Sequence, residues 1–317
     1  MKDRQRAWTM AGLRYTQAPI VVLTLVSMMF NIEGLNWNSP IDHFETFSGG
    51  GSVTMGEVEA GRTAVSFDII HDEVKQSMLT RPGFCNALFW ALNLKPGAGK
   101  VTAPVCSTWV FMSSGSTKRS RTNPLGSPSS PACQEANVML CRLLILLMVC
   151  SAKGCWWVLE QPASSVMPYH PLFQKFLQLR GIAVRKLYTC VGWFGAPSLK
   201  PTHLFSSHIE IEDLNSLARK NFVPRQVENV VHYVDSQGKP RICGGRHLKS
   251  SQTYPRRFGR ALATIRTSNR RAVQKKAKAF LKKAMTAKTS AADCRPRINN
   301  QWIEGADLKP VFTYLSV

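Results

Sequence analysis

The stretch "FETFSGGGSV", residues 44–53, joins a short apolar run to a segment of helical character through three consecutive glycines. A strand, a glycine turn and a helix in this order bring backbone close to a nucleotide-like ligand, because glycine has no side chain to obstruct it. Asp68 lies 17 residues beyond Gly51, at the end of the next predicted strand. There its carboxylate could accept hydrogen bonds from both hydroxyls of a ribose. The pattern predicts a cofactor at this loop, and the alternative is a simple tight turn beside an exposed aspartate.

The residues after the turn bear on the kind of cofactor. A nicotinamide dinucleotide normally needs GxGxxG and a helix N-terminus whose amides face its pyrophosphate. Here Met55 and Gly56 follow "GGGSVT", and Glu57 and Glu59 come early in the helix. A ligand without phosphate suits this loop better. S-adenosylmethionine carries adenosine and an amino-acid moiety but no phosphate, so we predict it as the cofactor.

Around this loop, short apolar runs alternate with helical stretches from residue 43 onward, which is typical of a parallel sheet with crossover helices. We expect "PGAG" (96–99) to be a turn and the polar, basic segment 113–131 to be a mobile loop. The prediction is an α/β fold, a Rossmann-like sheet with helices on both faces, a small inserted subdomain and a basic C-terminal helix. We place strands at 43–47, 63–69, 100–107 and 155–162, and helices at 52–61, 83–94, 135–150 and 170–179.

The same pattern divides the chain into an N-terminal segment (1–40), a cofactor-binding core (41–206), a small mixed subdomain (207–250), a helix returning to the core (251–268) and a basic helical tail (269–317). The apolar run "APIVVLTLVSMMF" (18–30) follows a basic start, as in a signal peptide, but Asn31, Ile32 and Glu33 follow where small residues are expected. Residues 1–40 are therefore either a targeting or disordered segment or a buried part of the fold. The run "VMLCRLLILLMVC" (138–150) carries Arg142 and predicts a core helix, and we expect no transmembrane span.

Charge points to the class of partner. The chain has 41 Lys and Arg against 19 Asp and Glu, a formal charge of +22, and no acidic residue lies between Asp235 and Asp293. Such a surface attracts polyanions. Within 270–288 one helical face is apolar, so a solvated helix, a disordered tail and docking on the core or on a membrane are alternatives to nucleic-acid binding. That face consists of Val273, Ala277, Phe280, Leu281, Ala284 and Met285. Nine cysteines without a CxxC pair predict a reducing compartment and no structural metal.

Three motifs then carry a family resemblance. "FETFSGGGSVT" resembles the first motif of cytosine-5 DNA methyltransferases, "APVCST" their Pro-Pro-Cys nucleophile loop, and "LEQP" their Glu-Asn motif, in the same order. The words "CSTWVFMS", "GCWWVLEQP", "GAPSLKPTHLF" and "SQTYPRRFG" more closely resemble an uncharacterised family of methyltransferase-like proteins found in algae. The likeness covers about residues 42–265. It implies a Rossmann-like methyltransferase fold that binds S-adenosylmethionine.

By this resemblance Cys106 would be the nucleophile that adds to carbon 6 of a flipped cytosine, and Glu160 the acid that holds the ring at nitrogen 3. Two positions depart from the family pattern. Val105 replaces the second proline before the cysteine, and Gln161 replaces the asparagine after the glutamate. The family's arginine-bearing motif is also missing, and Lys200 is the only cation near its place. The implied cofactor contacts are Phe47, Ser48, Gly49, Gly51, Asp68 and Pro104.

The sequence thus predicts a methyltransferase acting on nucleic acid, on cytosine in DNA in preference to RNA. A non-catalytic nucleic-acid-binding protein that keeps the fold is one alternative, and a methyltransferase of protein or small molecules is another. We expect an intracellular protein, with the nucleus favoured and N-terminal targeting left open. The predicted contacts with nucleic acid are Lys118, Arg119, Arg121, Lys200, Arg256, Arg257, Arg270, Arg271, Lys275 and Lys276.

Overall fold

A mixed six-stranded sheet, in the order β2-β1-β3-β4-β6-β5, forms the centre of the computed structural model. The structure describes residues 2–208, 210–220, 230–244, 253–268 and 270–287. β1 to β4 run parallel, and β6 is antiparallel to both β4 and β5. A separate antiparallel hairpin joins β7 and β8. The strands are β1 (Ile41–Thr46), β2 (Ala64–Phe67), β3 (Leu94–Thr102), β4 (Trp156–Pro162), β5 (Arg185–Cys190), β6 (Pro201–Ser206), β7 (Val230–Val234) and β8 (Pro240–Gly244).

Helices cover both faces of the sheet, as the α/β prediction requires, and the arrangement is compatible with a Rossmann-like fold. On one face α1, α2, α4, α6 and α7 bury a large apolar core, and on the other α3 and α8 bury a smaller one. β4 serves both cores because alternate residues of a strand point to opposite faces. The helices are α1 (Lys2–Tyr15), α2 (Ile20–Asn31), α3 (Ser52–Glu59), α4 (Arg81–Leu92), α5 (Ser114–Thr117), α6 (Pro131–Ala152), α7 (Pro171–Leu177), α8 (Arg256–Ser268) and α9 (Arg270–Thr286).

The N-terminal region is built into the larger core. Leu13 of α1 and Val26 and Phe30 of α2 are completely buried. The run 18–30 is therefore a core helix in this fold, one of the alternatives that the sequence left open. The long helix α6 is apolar enough to cross a membrane by length and composition, yet 67% of its most apolar window is buried inside the fold.

One strand boundary was predicted wrongly. The "PGAG" segment is not a turn, because β3 already begins at Leu94. Its pairing with β1 shifts register between Ile41 and His43, and Gly97 has a φ of +74°. Such an irregularity allows a strand to continue through glycines and a proline that would otherwise indicate a turn.

The C-terminal helices return to the core at very close range. A Cβ atom on Gly56 of α3 would lie 2.6 Å from the Gly259 carbonyl carbon of α8, so only glycine permits this approach. Helix α9 packs its apolar face on α1 and β3, with Ala277, Leu281 and Ala284 buried. Met285, predicted on the same face, is instead 51% exposed, because it lies at the edge of this face in the last turn. Parts of the predicted subdomain and tail lie outside the described residues.

Candidate functional site at the carboxyl edge of the sheet

The sheet has its topological switch point at β1. The chain leaves β1 for β2 on one side and returns across it to β3 on the other. In open α/β sheets the crevice at the carboxyl ends of the strands beside such a point is where ligands bind. The glycine loop follows β1, the Pro104–Cys106 segment follows β3, and Glu160 lies near the end of β4. The fold therefore brings the predicted cofactor and catalytic segments to one edge.

The glycine loop has the backbone conformations that its sequence predicts. Gly49 and Gly51 have φ values of 51° and 66°, in the left-handed region that favours glycine. Phe47 adopts the same region with a φ of 57°, which is strained for a side chain of its size, while its ring packs against the larger core. The Ser48 hydroxyl accepts a hydrogen bond of 2.6 Å from the hydroxyl of Ser66 on β2. This bond fixes the start of the loop against the neighbouring strand.

Asp68 follows β2 and contacts the loop directly. The Gly49 amide donates to its Oδ2 atom at 2.8 Å, and the Ile70 amide donates to Oδ1 at 3.1 Å. A carboxylate has about four acceptor positions. Further hydrogen bonds to Asp68 are therefore available for a ligand that lies over the loop.

Glu45, at the acidic position of the first motif, is a site residue that the sequence reasoning did not single out. It lies in β1, is 1% exposed, and accepts hydrogen bonds from the amide and the hydroxyl of Thr54 at 2.7 and 2.6 Å. Burial raises the pKa of Glu45 to about 7, although these hydrogen bonds lower it. A buried carboxyl of this kind gains from a cation placed beside it.

Cys106 and Glu160 share one electrostatic environment at the ends of β3 and β4. Burial raises the pKa of the Cys106 thiol, the negative charge of Glu160 raises it further, and Lys200 lowers it. The Lys200 ammonium lies 3.4 Å from Glu160 Oε1, and the Thr202 hydroxyl donates to the same oxygen at 3.4 Å. Lys200 was predicted to contact nucleic acid, and in this structure it forms an ion pair with Glu160.

Gln161, the residue that departs from the family pattern, holds the cysteine loop. Its side-chain amide donates to the Pro104 carbonyl at 2.9 Å and accepts from the Ser165 hydroxyl at 2.8 Å. The segment that presents Cys106 is therefore attached to the end of β4 through a glutamine side chain. Pro104 itself is buried, and Val105 is exposed.

The start of α8 closes this region from the other side, which the sequence reasoning did not predict. The Tyr254 carbonyl accepts a hydrogen bond from Ser52, at the beginning of α3. A Cβ atom on Gly50 would lie 3.4 Å from the Thr253 methyl group. Burial and then the neighbouring Glu160 raise the pKa of the Tyr254 hydroxyl well above its usual value. Tyr254 therefore links the glycine loop to the Cys106–Glu160 pair.

The segment 113–131, predicted as a mobile loop, contains the short helix α5 and packs against the core through Arg119. Its guanidinium stacks on Trp109 at 3.4 Å from the ring centroid and donates to the Cys133 carbonyl at 3.2 Å and to Asn137 at 2.9 Å. With only 4% of its surface exposed, it cannot reach a nucleic acid, so this prediction is wrong. Its neighbours Lys118 and Arg121 are exposed, as the prediction for them requires.

The remaining predicted basic contacts are scattered over the surface. Arg256 pairs with Glu59 at 2.6 Å, and Arg257 is half-buried and donates to the Leu217 carbonyl. Lys275 and Lys276 are exposed on α9. This helix contacts Gly97, early in β3, and Gly154, just before β4. Both glycines lie toward the amino ends of the parallel strands, so α9 lies at the edge opposite Cys106. Arg270 and Arg271 begin α9, and their side chains lie outside the described residues.

Among the described residues, no group of three or more His, Cys, Asp and Glu side chains could hold a metal ion. Comparison with protein-family models, with curated proteins and with solved structures gave no match to this chain.

Proposed function

We propose that this protein is an S-adenosylmethionine-dependent methyltransferase that acts on nucleic acid, with cytosine in DNA favoured over RNA and Cys106 as the nucleophile. The observation that carries the proposal is the meeting of the Cys106–Glu160 pair with the glycine loop at one switch-point edge. A strand-end thiol beside a strand-end carboxyl suits addition to a ring whose nitrogen must be protonated or hydrogen-bonded. The sheet, in this proposal, is of the methyltransferase type, and the compartment is intracellular.

The residues at the loop fit the proposed cofactor. S-adenosylmethionine carries positive charge and a ribose, and the loop offers the buried Glu45 carboxyl for the charge and Asp68 for the ribose hydroxyls. Gly49 and Gly51 leave backbone open to a close ligand, Phe47 and Ser48 precede them in the loop, and Pro104 is buried in the segment after β3. When bound, this cofactor supplies an activated methyl group.

The chain's own groups would control the thiol. The negative charge of Glu160 raises the pKa of Cys106, so the thiol keeps its proton in the free protein. The Cys106 thiol would give its proton to the Glu160 carboxylate, which would hold it toward nitrogen 3 of a bound cytosine. The sulfur would then add to carbon 6, and the electron pair of the 5,6 double bond would move into the ring. Lys200, 3.4 Å from Glu160, would stabilise whichever group carries the negative charge.

Trapping of the covalent intermediate tests the nucleophile. We expect the full chain, with S-adenosylmethionine and an oligonucleotide containing 5-fluorocytosine, to form an adduct that survives denaturing electrophoresis. Cys106→Ala should abolish the adduct, and Cys85→Ala, at another half-buried free thiol, should keep it. Methylation of normal DNA without any adduct would refute the role of Cys106.

Calorimetry tests the cofactor site separately. Asp68→Ala should weaken S-adenosylmethionine binding by about tenfold or more, corresponding to the loss of about one charged hydrogen bond. Glu73→Ala, at an exposed glutamate nearby, should leave the affinity unchanged. Saturable binding that is equal in all three proteins would remove Asp68 from the site, and no binding at millimolar cofactor would remove the methyltransferase proposal.

The raised pKa of Cys106 favours a second candidate, a nucleic-acid-binding protein that keeps the fold without catalysis. Deletion of the basic C-terminal segment would not test it, because α8 is part of the core. Charge reversal at the exposed Lys275, Lys276 and Lys278 leaves the core intact. For this candidate we expect weaker DNA binding and a smaller dependence of affinity on salt. Unchanged affinity and salt dependence would count against it.

A further inference from the structure

A cavity of about 170 Å³ lies at the edge of the sheet opposite Cys106. Its walls come from α1, from the beginning of β3, from the residue after α6 and from α9. The proposed methyltransferase site does not use any of these residues. The side chains considered below are Arg4, Gln5, Trp8, Lys95, Lys153 and Leu281.

Most of the wall is apolar and includes a flat aromatic surface. Trp8 contributes its indole from α1, and Leu281 contributes from α9. An engineered apolar cavity of about 150 Å³ is known to admit benzene. The volume here therefore suits a ligand body of about the size of one aromatic ring.

The charged groups in the wall are cations. Lys95 pairs with Asp42 at 2.8 Å. Arg4 stacks over Trp8 at 4.3 Å and has no ion-pair partner among the described residues. Lys153 is 3% exposed and donates to the Leu92 carbonyl, and in the described part of the chain it too lacks an acidic partner. Two cations without counter-charges in one small cavity favour an anionic ligand.

Two buried polar groups in the same wall, the Lys153 ammonium and the Gln5 side-chain oxygen, can form further hydrogen bonds. An ammonium has three donor hydrogens, and the Leu92 carbonyl takes one from Lys153. The Gln5 side chain is 8% exposed, and its Oε1 atom is buried without a hydrogen-bond partner among the described residues. Buried polar atoms without partners are costly, so each of them is an argument for a ligand that supplies one. A carboxylate would accept from Lys153, and a hydroxyl would donate to Gln5.

We propose that this cavity binds a small aromatic carboxylate, with its ring between Trp8 and Leu281, its carboxylate on Lys153 and Arg4, and a ring hydroxyl on Gln5. The chemistry is non-covalent recognition. The inference does not depend on the proposed methyltransferase activity, because the two sites lie at opposite edges of the sheet.

The test uses the full chain with 4-hydroxybenzoate as the probe, followed by calorimetry and by the shift in melting temperature. We expect saturable binding, at least about tenfold weaker binding of the uncharged 4-hydroxybenzyl alcohol, and weaker binding of benzoate, which lacks the hydroxyl. These ligand comparisons use the wild-type protein, so they do not depend on any variant folding.

Variants then assign the contacts. Lys153→Met should weaken binding of the acid by about tenfold or more and bring it near that of the alcohol. Gln5→Leu should remove the preference for 4-hydroxybenzoate over benzoate, and Lys278→Met, exposed on α9, should change neither result. Equal affinities for acid and alcohol, or no saturable binding of either acid below about 10 mM, would overturn the proposal.

Discussion

Charge is buried differently on the two faces of the central sheet. On the face covered by α3 and α8, the Glu57 carboxylate is completely buried and contacts two arginines, with Arg266 at 2.8 Å and Arg62 closer still. On the opposite face Lys100 is equally buried, but its ammonium donates only to the Thr46 hydroxyl, at 2.8 Å, among the described hydrogen bonds. Glu57 is therefore matched by opposite charges, and Lys100 is not.

Both environments lower a pKa, but the lowering favours the charged form of Glu57 and the neutral form of Lys100. Burial alone would raise the pKa of Glu57, yet its cationic neighbours hold it below the usual value. Burial lowers the pKa of Lys100 to about 7, and the nearby Cys150 and Glu45 raise it only in part. The comparison teaches that opposite charges from other elements keep Glu57 ionised, whereas Lys100, without an ion pair among the described residues, is close to losing its proton at neutral pH.

Removing the carboxylate of Glu57, the buried acid with two arginine partners, should have the largest effect on stability. Glu57→Gln removes the buried carboxylate that contacts Arg62 and Arg266 and leaves the buried Arg266 guanidinium beside a neutral amide, and we expect the free energy of unfolding to fall by about 3–5 kcal/mol. Urea denaturation measures it. The matched control is Glu59→Gln, whose partners Arg256 and Arg260 are exposed, and it should change stability very little. Similar losses of stability in both variants would contradict the expectation that the buried Glu57 contributes more to stability than the partly exposed Glu59.

The buried Lys100 gives a prediction about how stability depends on pH. The pKa of Lys100 is about 7 in the folded protein, below the value of about 10.4 in the unfolded chain. Between these values the unfolded state binds more protons, so the cost of burying Lys100 falls as pH rises. Lys100→Met should therefore be more stable than the wild type at pH 7, by an amount that shrinks by about 1 kcal/mol per pH unit toward pH 10.

Urea titrations at pH 7, 8, 9 and 10 measure this difference for Lys100→Met. Lys278→Met, which removes an exposed lysine from α9, serves as the control and should follow the wild type at every pH. A stability advantage of Lys100→Met that stays constant over the same range would contradict the shifted pKa.

Arg119 is a third kind of buried charge, a cation that is surrounded by neutral carbonyls and an aromatic ring. Arg119→Met keeps most of the side-chain volume but loses these hydrogen bonds, and we expect a loss of about 2 kcal/mol. Limited proteolysis of residues 113–131 should accelerate in the same variant. Arg121→Met, at an exposed arginine of the same segment, should match the wild type in both measurements.

The sequence predicted local structure well where the signal was local. The glycine turn, α3 and β4 follow from residues that are neighbours in the chain. The prediction that Cys106 and Glu160 lie at one edge came from the family resemblance and from their places at the ends of predicted strands. Strand β3 was misplaced because glycine and proline normally indicate a turn, whereas here the pairing with β1 extends the strand.

What the sequence could not show depends on partners far apart in the chain. In the sequence Glu57 is only an acid early in a predicted helix, and its partner Arg266 lies 209 positions away. Arg119 looked like a phosphate contact, because nothing local indicates that Trp109 and Asn137 surround it. Tyr254 belongs to the family-like stretch "SQTYPRRFG", but the sequence predicts no role for it. Its position beside Glu160 is visible only in the fold.

The contact between α3 and α8 also sets the order in which the site can form during synthesis. Ser52 and Tyr254 are 202 positions apart, so the glycine loop, Glu45 and Cys106 leave the ribosome long before the helix that completes their surroundings. Until α8 arrives, Gly56 and Glu57 of α3 have no partner surface on that side. The nascent chain must keep an acidic helix exposed until α8 has been synthesised, and the site becomes competent only after that.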